Sequence, residues 1–193
     1  MSKVSKKEQR RRTAYHEAGH AIAILSLGRS FRIATIEPED DSLGYVSNHH
    51  AYRFIDPDIA SYTWSARERR AVKQQVFVSL AGIAAVRILL GRYPRRRRDT
   101  TDYELIASIL ESFNAGYLDE VDDAYIAYME LVTKNSIEGN WRFVKIVAQE
   151  LLEKGTLKYS EVKLLVPAKI SLGEQPKHLL RRQKLLEYGP PEV

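Results

Sequence analysis

The sequence predicts a mainly α domain with one small β-hairpin. Two long apolar segments rich in small residues run up to Gly28 and Gly91, and glycine is where helices commonly stop. A single stretch, Phe31 to Glu37, alternates in the manner of a half-buried strand and is closed by Pro38. With 193 residues, 44% of them hydrophobic and 28% charged, the chain has the length and composition of one globular domain with a sizeable core.

The elements follow in order. The first helix is predicted from about Glu8 to Leu27. The strand Phe31–Glu37 leads into the polar turn Glu39-Asp40-Asp41-Ser42, and Gly44 to Ser47 reads as the returning strand of the hairpin. His49 and His50 follow in a loop. A long helix is predicted over Ala66 to Leu90, and its small residues Ser79 to Ala85 let another helix approach closely, so it is expected to pack on the first helix. Arg92 to Asp99 reads as a charged loop. Thr101-Asp102-Tyr103-Glu104 fits a helix-opening capping box, followed by Leu105, Ile106, Ile109, Leu110 and Phe113 at amphipathic spacing. Helices over about Asp119–Ile137 and Glu138–Lys154 are expected to form an antiparallel pair. A short helix near Ser160–Val166 precedes Pro167, and a further short one is expected at Lys177–Leu186.

Within the first helix stands His16-Glu17-Ala18-Gly19-His20, which reads H-E-x-x-H. Two His four residues apart share a helix face, with Cβ atoms roughly 5–6 Å apart, so both imidazoles can reach one metal ion. Zinc, with Zn–N bonds of about 2.0–2.1 Å, fits above that face. Glu17 is placed beside such an ion rather than on it. There it can take a proton from the attacking water and hand it to a leaving amine.

Bulk properties narrow the partners. The chain has no Cys, which excludes disulfides and thiolate metal sites, so a metal must be held by His and carboxylate. No apolar run is expected to approach the 18 or more residues of a membrane span, and the polar, basic start lacks the apolar core of a secretory leader. These features fit a cytoplasmic location with no transmembrane segment. The net charge of +5 sits in clusters: Lys6 to Arg12, Arg95 to Arg98, and Arg181 to Lys184. A solvated face is the ordinary reason for such runs. No aromatic residue interleaves them as a base-stacking surface requires, which makes nucleic acid the weaker partner.

A catalytic zinc site needs a third protein ligand and an open position. The extended form H-E-x-x-H-x-x-G-x-x-H is absent, because positions 23 and 26 are Ala and Ser. The residues leave Asp99, Asp102, Glu104, His49 and His50 as candidates.

Several segments together carry a resemblance. Thr13 to Ala23 resembles the zinc helix of the FtsH-type (M41) peptidase domain. Ala34 to Pro38 with Ser42 to Tyr45 is similar to that family's strand and edge segment. Val78 to Ala85 with Leu90-Gly91 is similar to its small-residue helix, and Ala148 to Leu157 resembles its late helix and Thr-Leu turn. The likeness covers about Thr13 to Val166. It implies a multi-helix FtsH-peptidase-like domain over residues 1–166, with a basic lead-in at 1–12 and a basic, proline-containing tail at 167–193. It implies zinc held by His16, His20 and Asp102, with Glu17 as the catalytic residue. It further implies that Leu43, Gly44, Tyr45 and Val46 align an extended polypeptide substrate by main-chain hydrogen bonds.

The chain departs from the family where it carries Val86-Arg87 in place of an acidic pair, which removes support for the ligands from that position. A Gly/Ser/Asn loop is replaced by Arg95 to Thr101. No G-x-x-x-x-G-K-[ST] occurs, so hydrolysis is expected to be ATP-independent on the chain's own account. A separate ATPase and further copies of the chain are the partners the resemblance brings in. The function expected is that of a zinc-dependent metalloendopeptidase acting on flexible or unfolded polypeptides. The alternative is a catalytically inactive peptidase-fold module whose Arg patches bind an acidic partner or nucleic acid.

Overall fold

In the computed structural model the chain is described over residues 4–39, 42–47, 65–91, 101–113 and 119–166. The sequence expectations for His49, His50, Asp99, Arg95 to Arg98, the 167–193 tail and its short helix fall outside those residues.

Ser5 opens the first helix: its hydroxyl accepts from the Glu8 amide at 3.2 Å, satisfying one of the donors a helix start leaves unpaired. The helix, α1, spans Lys6–Ser26, so most of the basic lead-in forms its first two turns. Glu8 reaches forward to Arg12 at 2.9 Å, an i,i+4 pair of the kind that supports an exposed helix end. From Ala14 onward the helix is buried on nearly every side.

The second helix, α2 (Ala66–Leu90), carries a reciprocal capping box between Ser65 and Glu68. It ends at Gly91, whose left-handed φ of 59° is the conformation glycine adopts without steric cost. By length and composition α2 could cross a membrane, yet 61% of that apolar window is buried inside the fold. The burial has an immediate cause: α1 and α2 meet through small residues. A side chain at Gly19 would place its Cβ 2.5 Å from the Ala81 carbonyl oxygen and 2.8 Å from Ala85 Cβ.

Around this pair the remaining helices are α3 (Thr101–Phe113), α4 (Asp119–Gly139), α5 (Trp141–Lys154) and α6 (Tyr159–Leu165). Helix α3 includes Thr101 in its first turn, one residue earlier than a Thr101 cap would allow. The expected antiparallel pairing of α4 with α5 is not what forms. Helix α5 packs chiefly on α1, and α4 on α2. The reason lies in α5's apolar stripe of Phe143, Val144, Val147, Ala148 and Leu151, which is buried chiefly towards α1 instead of its chain neighbour. Fully buried aliphatics such as Ile22, Leu80, Ile106, Val144 and Leu151 form one continuous core, each contributing about 1.5–3 kcal/mol.

The hairpin forms as expected, between β1 (Ile33–Thr35) and β2 (Tyr45–Val46), antiparallel with Ala34 opposite Val46. It is extended by a strand the sequence had suggested only as a turn. This is β3 (Thr156–Lys158), which lies on the other side of β1 with Thr35 opposite Thr156. The order β2-β1-β3 leaves β2 at the sheet's edge. Fold class is therefore mainly α with a small three-stranded antiparallel sheet.

Candidate metal centre

One turn of α1 places the imidazoles of His16 and His20 side by side, Nε2 to Nε2 3.0 Å, with their rings nearly perpendicular. The ring of His20 is oriented by a backbone group. Its Nδ1–H donates to the Val78 carbonyl at 2.8 Å, which in the neutral ring leaves the Nε2 lone pair facing His16. From α3, Asp102 brings Oδ2 to 3.0 Å from His16 Nε2 and 3.6 Å from His20 Nε2. The three ligand atoms lie within 4.8 Å of one another, and the group could hold a metal ion. A tetrahedral ion with bonds of about 2.0–2.1 Å spaces its ligand atoms about 3.3 Å apart, the middle of the observed spread.

Gly82 makes the convergence sterically attainable. A Cβ there would stand 2.5 Å from His20 Nε2 and 2.8 Å from His16 Nε2, against the atoms that would bind the ion. Sequence reasoning assigned the small residues of Ser79 to Ala85 to helix packing alone. That is half of their role, and the other half is room for two imidazoles.

Glu17 is 4% exposed and lies beside the group, between it and the hairpin. A Cβ on Gly44 would sit 3.2 Å from Glu17 Cγ and 2.6 Å from the Thr35 carbonyl oxygen, so Gly44 lets the edge segment close over the acid. Burial raises the Glu17 carboxyl above its usual range, opposed by His20 and His16 and reinforced by Asp102. For His20, burial disfavours the charged ring, but the Asp102 carboxylate outweighs it and raises the imidazole to about 9. For Asp102 burial acts upward, and the two imidazoles, His20 foremost, more than reverse it and hold the carboxyl below its usual range.

A single cleft of about 930 Å³ contains every expected site residue: His16, Glu17, His20 and Asp102 on its floor, and Leu43 to Val46 along one wall. Arg12 and Gln9 line it on α1, and Gln75 and Ser79 on α2. Neither of the last two was singled out from sequence, although both are polar and buried on a largely apolar helix. Of the departures from the family pattern, Val86 lines the cleft while Arg87 points elsewhere. Arg87 Nη1 donates to Glu130 Oε1 at 3.0 Å and Nη2 to the Tyr103 hydroxyl at 2.8 Å. Tyr103 donates in turn to Glu130. Burial and the Glu130 carboxylate raise the Tyr103 phenol to about 12, which keeps it an O–H donor. Of the basic clusters, Arg10 and Arg12 in the first are already paired, with Glu37 and Glu8.

Compared with protein-family models and with curated proteins, the chain matches none.

Proposed function

We propose that the chain is a zinc metallopeptidase of FtsH-like type that hydrolyses peptide bonds in flexible or unfolded polypeptides without ATP. One observation carries the reading. Two imidazoles and a remote carboxylate converge at ion-binding distance in the cleft that also holds a buried Glu17 and a sheet edge that, among the described residues, no strand covers. A ligand triangle alone would fit a structural ion, but a buried acid beside it and a strand edge facing it have a use only if a chain is bound and cut there.

Zinc, when bound, would supply Lewis-acid polarisation of the scissile carbonyl and a water acidified to a pKa of about 7. The chain's own groups do the rest. His16, His20 and Asp102 would hold the ion. Val78, through Nδ1 of His20, fixes the tautomer whose Nε2 is free to ligate. Glu17 accepts a proton from the attacking water and returns it to the departing amine nitrogen. Its place in the cleft beside the ligands suits both halves of that transfer. The outer edge of β2 offers main-chain N–H and C=O groups to an extended segment, which aligns the scissile bond across the cleft. A folded domain offers no such segment, so flexible or unfolded chains are the substrate class.

Zinc content and casein cleavage of the purified protein test this together. Glu17→Gln should keep its zinc and lose cleavage by about 10²–10⁴-fold. A Glu17→Gln protein that cleaves casein like the parent, or a parent protein that neither takes up zinc nor cleaves, ends the proposal.

A further inference from the structure

The two His ligands and the Asp ligand are held by different means. His16 and His20 lie one turn apart on one helix, and their spacing is set by the helix itself. Asp102 must be delivered from another helix. Among the described residues α3 packs mainly on α2 and has few contacts with α1, the helix that bears its ligand partners. Apolar packing of Ile106, Ile109 and Leu110 buries one face of α3 but tolerates small slides and rotations. A shift of about 1 Å would take Oδ2 out of the ligand triangle.

We propose that Arg87, Glu130 and Tyr103 form a positioning clamp that locks the first turn of α3 and so sets the Asp102 carboxylate at coordinating distance from His16 and His20. The three side chains close a ring of hydrogen bonds, each from a different helix: Arg87 from α2, Tyr103 from α3, Glu130 from α4. A ring anchored on three helices opposes both translation and rotation of α3, which a single bond does not. The planar guanidinium contributes direction, because its two nitrogens donate along fixed lines to two different partners. Tyr103 directly follows Asp102, so any motion that displaces the ligand also breaks the ring. The assembly is shielded: Tyr103 is 4% exposed, and the Arg87 and Glu130 side chains 13% and 22%. A shielded ring of charge-assisted bonds is costly to open, since opening leaves a charge without its partner. Arg87 thus supports the site from the far side of α3, although a basic residue there gives no sign of doing so in the sequence.

This inference rests on the metal reading above, and the test separates the two. Co²⁺ is titrated into the metal-free protein and followed by its visible absorption, and Zn²⁺ affinity is measured by competition with a chromophoric chelator. Thermal unfolding of the same samples is recorded in parallel. Tyr103→Phe keeps the ring's volume and removes only the hydroxyl. It should lower metal affinity by about 10–100-fold, the range of lost outer-shell support, and alter the Co²⁺ spectrum. Arg87→Met should do the same, and the double variant should lose little more than either single one, because one ring is broken in each case. Arg87→Lys, which restores the charge without the fork, should recover part of the loss. Ile106→Val is the control: it loosens the same helix, lowers the melting temperature and leaves affinity and spectrum unchanged. Where Tyr103→Phe unfolds, Glu130→Gln carries the same expectation. Folded ring variants that bind Co²⁺ with parental affinity and spectrum overturn the clamp and leave the metal reading standing. A parent protein that binds no Co²⁺ overturns the metal reading itself, and the clamp with it.

Discussion

The α1 side and the α3 side of the centre reach the same ion position by opposite routes. His16 and His20 are four residues apart, so one turn of helix already puts their imidazoles on the same face, where the Val78 carbonyl and the space at Gly82 complete their placement. Asp102 is 82 residues beyond His20 and comes from another helix, where the adjacent Tyr103 is bonded to side chains of two further helices. A local ligand pair tolerates much disturbance of the surrounding fold. A remote ligand depends on whatever fixes its helix in place. The centre is thus a preformed half-site and a delivered third ligand, and its affinity should depend most steeply on the delivered part.

Deleting ligands gives the largest effect. His20→Ala and Asp102→Ala should each weaken zinc binding beyond the roughly 100-fold ceiling typical of outer-shell losses, read by chelator competition. The comparison sharpens with zinc-free thermal unfolding. His20→Ala leaves a void in the buried contact between α1 and α2, whereas Asp102→Ala trims a partly exposed side chain, so His20→Ala should lower the melting temperature more. Equal melting temperatures would mean that the two halves are not built differently.

Gly82→Ala comes next. The added methyl meets both Nε2 atoms at under 3 Å, so the rings must turn away from the ion position or α2 must move back. Overpacking of this kind costs about 1–3 kcal/mol. Zinc affinity should fall by about 10–100-fold, the scale set by misoriented ligands. Unchanged zinc affinity in Gly82→Ala would show that the imidazoles have slack, contrary to a rigid half-site on α1.

The same contrast decides what could be read from the chain beforehand. The preformed half was legible: H-E-x-x-H carries its own geometry, and the helix expected over Ala66 to Leu90 has that span and ends at Gly91. The hairpin too was legible from alternation and Pro38. The third ligand stayed among five candidates on the residues alone. Asp102 was preferred through a resemblance, and its place beside His16 comes only from tertiary structure. The strand β3 was missed because three residues show no period. Its register is set by Thr35 across 121 positions, where the two threonine hydroxyls meet at 2.7 Å. Arg87 read as a loss of support for the site, since nothing in its spacing to Tyr103 or Glu130 marks them as partners. Helix α5 went to α1 rather than α4, since a sequence period says which face is apolar without saying what will cover it.

The smallest effect is electrostatic, and it tests whether the delivered carboxylate controls the half-site. In the metal-free protein Asp102 raises His20 to about 9, against burial that acts the other way. Zinc binding must expel that proton, so apparent affinity should rise about tenfold per pH unit on approach to 9 and level off above it. The stability of the chelated protein should run the opposite way. A group whose pKa is raised on folding stabilises fully below its unfolded value of about 6.5, and that contribution is lost as pH rises through about 9. Asp102, held below the model-compound value of 3.8, adds stability above that pH and loses it as acid is added. The contribution of the His20–Asp102 pair to the chelated protein's stability should therefore be fullest between about pH 4 and 6.5 and fall towards 9, at about 1.4 kcal/mol per unit of His20 shift. Asp102→Asn removes the carboxylate charge while keeping the side chain's shape. Its affinity profile should level off well below pH 9, and its chelated form should no longer weaken between 6.5 and 9. A profile that still breaks near 9 in Asp102→Asn would mean that another group sets the His20 proton, and that the two halves of the centre are electrostatically independent.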